Sequence, residues 1–216
     1  FILEVLGLSG SDKQAVLSRL GEALQSGPVF EDDIRQACLY LREFHPEDTG
    51  LLAPLYLNVF DLEPGEALFL DAGVMHSYLE GAGIEIMANS DNVLRGGLTS
   101  KHIDLEELMN ILDFSPFRGG ILRPAVENRA LSVYHTKAGE FVLKRLELDK
   151  EFPYPLATDG LPLILFSENG PLEMNWNGQS KTLPRGESAF ITADTGTVLL
   201  EGDCRVWLAS VPQPQN

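Results

Sequence analysis

Residues 65–81 read GEALFLDAGVMHSYLEG and residues 186–202 read GESAFITADTGTVLLEG. Laid over one another without a gap, the two stretches are identical at seven of 17 positions: Gly65/Gly186, Glu66/Glu187, Phe69/Phe190, Ala72/Ala193, Leu79/Leu200, Glu80/Glu201 and Gly81/Gly202. Unrelated residues of ordinary composition would agree at about one. Each copy reads as turn, strand, short turn, strand and glycine, the hairpin of a small double-stranded β-helix barrel. A repeated supersecondary unit argues for two copies of one architecture, so two such barrels are expected.

The segments around the repeat fit this reading. Short apolar runs punctuated by Gly and Pro surround the first copy at 54–62, 67–70, 76–79 and 84–87, with Pro64-Gly65 as a turn. Further strand-like runs follow at 131–134, 141–148, 161–166, 172–176, 189–191, 198–200 and 206–209. Between them, residues 114–130 carry Pro116, Gly119, Gly120 and Pro124 and read as a linker. Upstream the period changes from two to 3.6. Val16, Leu17, Leu20 and Leu24 share a helix face that Ser11 would cap, and Ile34, Cys38, Leu41 and Phe44 share another that His45-Pro46 ends. Asp104 with Glu107 is a capping-box pattern opening a short helix over 105–112. The expected fold is mainly β with a small helical segment: helices in 1–50, part of a first cupin-like jelly-roll barrel in 51–113, the linker at 114–130, and a second cupin-like barrel in 131–216.

Composition bounds the function. With 32 acidic against 16 basic residues in 216, the formal charge of −16 repels nucleic acid and anionic membrane. The expectations are therefore no nucleic-acid partner and no membrane; because no apolar run approaches roughly 18–20 residues and the sequence opens without a basic n-region, a cytoplasmic protein is expected. Two distant cysteines, Cys38 and Cys204, offer neither a disulfide framework nor a thiolate zinc knuckle. The chain opens on Phe1-Ile2-Leu3 with no methionine, as a piece of something longer would.

His76 and Tyr78 stand one strand period apart in the first copy, where the second carries Thr197 and Leu199. This substitution suggests that only the first barrel kept a polar interior. A neutral imidazole there could ligate a divalent metal, or could simply be a hydrogen-bonded core histidine. His45, His102 and His135 read as surface residues, and no His-x-His or Gln-x-His occurs, so partners for a metal on His76 are expected outside this chain. Downstream, residues 85–101 form a polar run in which Glu85 and Asp91 balance Arg95 and Lys101 beside Gly96-Gly97. The guanidinium of Arg95 and the ammonium of Lys101 make this the favoured anion site, with a solvated salt-bridged loop as the bland alternative.

At these residues the chain resembles type I mannose-6-phosphate isomerase, the zinc-dependent phosphomannose isomerase. The matching stretches are residues 45–50 (HPEDTG), 57–59 (LNV), 62–67 (LEPGEA), 76–79 (HSYL) and above all 84–99 (IEIMANSDNVLRGGLT) with Lys101. Residues 184–190 (PRGESAF) resemble the family's last domain. The resemblance spans nearly the whole chain but only the C-terminal portion of the family's. It implies that His76 is the last zinc ligand and Arg95 the active-site arginine. It also implies that Tyr78, Glu85, Asp91 and Lys101 line or support a sugar-phosphate pocket. The other zinc ligands, a Gln-x-His pair and a glutamate, belong to an N-terminal part absent here. Departures are Ser77 and Gly96, where alanine is common, and Met75.

The activity implied for the intact protein is aldose–ketose isomerisation between mannose 6-phosphate and fructose 6-phosphate through an enediol. Zinc held partly by His76 would orient the sugar oxygens, Arg95 would meet developing negative charge or the phosphate, and Glu85 is a candidate for the proton transfer. This chain by itself is expected to be inactive. The competing expectation is a non-catalytic two-barrel module that holds an anionic sugar through Arg95 and Lys101; a metal-dependent oxygenase is disfavoured because histidines do not cluster around His76.

Overall fold

The computed structural model describes residues 1–27, 29–90, 93–99 and 103–213. The chain divides into two compact units. One comprises Phe1–Leu62, Leu70–Gly83 and Ser90–Gly120, and the other Glu63–Phe69, Ile84–Asn89 and Ile121–Asn216.

The first unit is helical at its core. Helix α1 spans Ile2–Leu6, α2 Gly10–Gln25 and α3 Asp32–Phe44, and a 3-10 helix follows over Thr49–Leu55. The apolar stripes read from the sequence meet here: Leu20 and Leu24 of α2 pack with Cys38 and Leu41 of α3, Leu51 and Leu52 of the 3-10 helix, and Val5 of α1. The Arg35 side chain donates to the Leu24 carbonyl at 3.2 and 3.3 Å. It thereby satisfies one of the carbonyls orphaned at the end of α2. The N-cap of α2 is Ser9 rather than Ser11, and its side chain makes no capping bond. Helix α4, Leu105–Ile111, is capped as the sequence predicted, with Asp104 Oδ1 accepting from the Glu107 amide at 3.0 Å.

The second unit carries the β-structure. Among the described residues its strands are β1 (Ala125–Val126), β2 (Leu131–Tyr134), β3 (Val142–Glu147), β4 (Tyr154–Ala157), β5 (Leu163–Ser167), β6 (Leu172–Trp176), β7 (Gln179–Leu183), β8 (Ser188–Ile191), β9 (Thr197–Glu201) and β10 (Arg205–Ser210). They form a six-stranded sheet ordered β1-β2-β3-β10-β5-β8 and a four-stranded sheet ordered β4-β9-β6-β7, with every pairing antiparallel. From β3 onward the chain alternates between the sheets except at the β6–β7 hairpin, which is jelly-roll topology. The inward residues of both sheets, among them Leu146, Leu165, Leu172, Val198, Leu200, Val206 and Leu208, are nearly inaccessible and form one core. Each such side chain contributes roughly 1.5–3 kcal/mol relative to exposure.

Two expectations are corrected. In the second copy of the repeat, β8 pairs with β5 while β9 pairs with β4 and β6, so the copy is a crossover between sheets and not a hairpin. The turn between them runs through Ala193–Thr195 and Gly196, whose φ of 80° suits glycine. In the first copy, no strand forms among the described residues between 56 and 124; the isolated bridge Ala67–Leu122 is all that appears. A strand exists only as a member of a ladder, and the described residues supply no ladder partner to 76–79 or 84–87. The start of the run at 54–62 is instead taken by the 3-10 helix, whose residue Pro54 is compatible with helical φ and has no amide to lose.

Candidate functional site

Three of the motif runs meet in the first unit. Asp48 Oδ1 accepts from the Gly50 amide at 2.7 Å, closing the turn that opens the 3-10 helix. Gly50 lies so close to Leu98 that a Cβ there would stand 2.7 Å from the leucine's Cγ, and a Cβ on Gly97 would be 3.5 Å from the Gly50 Cα. Leu98 itself sits at φ 51°, a conformation that costs a leucine about 1–3 kcal/mol, and its side chain packs on the helical core. Gly96 lies against Met75, with a Cβ at Gly96 placed 2.9 Å from the methionine's terminal methyl. The departures Met75 and Gly96 are therefore complementary: the longer side chain occupies the space an alanine at 96 would need. Since Met75 precedes His76 and Gly96 follows Arg95, this contact ties together the backbones that carry both residues.

The turn before His76 is held as tightly. Gly73, at φ 81°, accepts from the Asp113 amide at 3.0 Å, and a Cβ there would stand 2.6 Å from the Ile111 carbonyl oxygen at the end of α4. Only glycine fits that approach.

His76 is exposed rather than facing a barrel interior. In the second copy the buried, inward residues of β9 are Val198 and Leu200, so Thr197 and Leu199 are on the outer face. Ser77 between His76 and Tyr78 is exposed as well, so no alternation of faces is present in the first copy, while Leu79, the counterpart of Leu200, packs on the helical core. The Nδ1–H of His76 donates to the Val74 carbonyl at 2.9 Å, since a carbonyl can only accept. That tautomer leaves the Nε2 lone pair outward, as a metal-ligating histidine requires. His76 and Tyr78 are brought together, ring centroids 6.1 Å apart at 68°. Arg95 is exposed in the same unit, and Glu85, also exposed, falls in the other. Asp91, Lys101 and His102 lie outside the described residues. His45 is half-buried behind α3 rather than at the surface, and His135 is exposed 3.5 Å from Glu127.

Burial, reinforced by Asp48, pushes the Tyr56 phenol above its ordinary value. Among the described residues no three His, Cys, Asp or Glu side chains gather where they could hold a metal ion. His76 supplies one nitrogen, so the described residues do not by themselves fit a zinc centre. The contact between Met75 and Gly96 was not legible in the sequence, where the two stood only as departures from the family's pattern.

Comparison with known proteins gives this arrangement a context. The mannose-6-phosphate isomerase of Escherichia coli is 38% identical over 206 residues, covering 94% of this chain and 51% of the relative. That of Mus musculus is 33% identical over 191 residues, covering 85% and 45%. A crystal structure of mannose 6-phosphate isomerase from Salmonella typhimurium bound to its substrate fructose 6-phosphate and zinc superposes with a TM-score of 0.84 at 34% identity, over 98% of this chain and 53% of that one. The chain is a relative of the mannose-6-phosphate isomerases. It spans about half the length of the curated relatives it matches. No protein-family profile matches the chain. The likeness to the isomerases extends through both units, since nearly the whole chain is covered.

Proposed function

We propose that this chain is the C-terminal part of a mannose-6-phosphate isomerase that interconverts mannose 6-phosphate and fructose 6-phosphate. The observation that carries the reading is the superposition of 98% of the chain on an isomerase holding substrate and zinc. A sugar phosphate is then the substrate, and the missing half of the protein is the partner. In the complete protein His76 is one ligand of a single zinc ion, with its remaining ligands outside this chain.

The chemistry assigned to this chain concerns its own residues. Isomerisation removes the proton from C2 of the open-chain aldose, protonates the carbonyl oxygen at C1 to give an enediol, and returns a proton to C1 as the C2 oxygen becomes the ketone. Glu85 is the candidate carboxylate for that proton. Arg95 presents a guanidinium that is always charged, suited to the developing oxyanion or to the phosphate. Tyr78, Asp91 and Lys101 bind or support the sugar phosphate. A chain of charge −16 needs such local cations to hold an anionic substrate.

The test is an assay of ketose formation from mannose 6-phosphate together with zinc analysis, on this chain alone and on the chain joined to an isomerase N-terminal half. Turnover is expected only in the joined protein, with one zinc bound, and Arg95→Ala is expected to lower kcat there by at least about a hundredfold. Turnover with stoichiometric zinc in the chain alone overturns the division of the site; sugar-phosphate binding without turnover in the joined protein favours the non-catalytic module instead.

A further inference from the structure

The repeat places a second feature at the counterpart of the candidate site. An open cavity of about 450 Å³ lies at the end of the β6–β7 hairpin, where Asn175, Trp176, Gln179, Ser180, Thr197 and Leu199 line it. Thr197 and Leu199 are the residues matched to His76 and Tyr78. Asn175 pairs with Ser180 on one side and with Leu199 on the other, so these three stand side by side on the outer face of the four-stranded sheet. The hairpin turns through Asn177 and Gly178, both at positive φ, a tight arrangement that holds the two strands in register.

The chemistry of this lining differs from that of the first copy. No charged side chain lines the cavity, in a chain with 16 basic and 32 acidic residues. The side chains of Gln179, Ser180 and Thr197 are exposed and that of Asn175 is half-buried, and each offers a donor and an acceptor. Leu199 supplies an apolar floor, and Trp176 is anchored by packing against the barrel core. Uncharged donor–acceptor pairs around a small apolar surface match a ligand with alternating hydroxyls and C–H groups. They do not match a phosphate, which requires cations or converging amides.

We propose that the outer face of the second barrel binds a neutral saccharide at Asn175, Ser180, Thr197 and Leu199. In the repeat Thr197 and Leu199 stand where the first copy carries His76 and Tyr78, so the metal-ligating histidine has no counterpart here. It stands apart from the isomerase reading, and its failure leaves that reading untouched.

The test is a ¹H–¹⁵N NMR titration of the chain with mannose, glucose and maltotriose, each to about 50 mM, with inorganic phosphate as the charged probe. Amide shifts confined to 175–180 and 197–199, with a millimolar Kd for at least one sugar, are expected. Phosphate should leave these amides unmoved. Asn175→Ala and Ser180→Ala should each weaken binding about fivefold or more, and Ser180, being exposed, can be truncated without unfolding the barrel. The proposal is overturned if no sugar shifts these amides, if phosphate shifts them as strongly, or if both variants bind as the parent does.

Discussion

Leu199 and Leu200 are adjacent, chemically identical and opposite in environment. Leu200 is fully buried between the sheets, and Leu199 is half-buried on the outer face of β9. Truncating Leu200 to alanine removes buried methyl groups and leaves a cavity in a core of Leu146, Leu165, Leu172 and Val198. The expected cost is about 3–5 kcal/mol. Truncating Leu199 loses only part of a transfer term and creates no cavity, so about 1 kcal/mol or less is expected. Both tryptophans, Trp176 and Trp207, lie in β6 and β10, so their fluorescence reports on the barrel alone even when the helical unit melts separately. With a urea m-value of roughly 1–3 kcal/mol/M, Leu200→Ala should move the fluorescence midpoint down by at least about 1 M and Leu199→Ala by a few tenths. Equal losses at the two positions would refute the assignment of faces.

Other consequences are as direct. Gly73→Ala should destabilise the helical unit by about 2 kcal/mol or more, because the new Cβ meets a backbone oxygen that cannot yield; Gly81→Ala, at φ 108° but with open space, should cost clearly less in the same thermal melt. Burial raises the Cys38 thiol from 9.0 to about 11 and shifts Cys204 upward as well. Because the folded value is the higher one, stability from the neutral Cys38 thiol is fully present below about pH 9 and is lost as pH rises through 11. A thiol reagent at pH 8 should find no fast-reacting cysteine in the native chain and two after unfolding in guanidinium. Asp104→Ala removes the acceptor for the Glu107 amide and should cost about 1 kcal/mol, read as faster hydrogen exchange across α4.

Much of the secondary structure was legible because periodicity records burial. The stripes of α2 and α3 and the alternation in β5, β6 and β10 are written in apolar spacing, and Asp104 announces α4. Strands β4 and β7 escaped for opposite reasons. Pro155 argues against a strand until β4 is seen at a sheet edge, where a missing amide is tolerated. Strand β7, QSKTL, is polar and exposed except for Leu183, and its signal lay in the Asn177-Gly178 turn. Helix α1 is five residues long, too short for a period to show.

The sequence by itself determined the repeat, the β-rich class, the helical beginning and the residues that resemble an isomerase site. Each of these is a property of local order or of residue identity, which one dimension can record. Only the tertiary structure decided that the repeat crosses between two sheets, that Thr197 and Leu199 face outward, and that Met75 and Gly96 pack together. Alternation says that two faces differ; which of them meets the core depends on partners distant in the chain. The first copy of the repeat shows the same point, since the same pattern makes strands at 188–191 and 197–201 where neighbours complete the ladder, and none at 76–79 among the described residues.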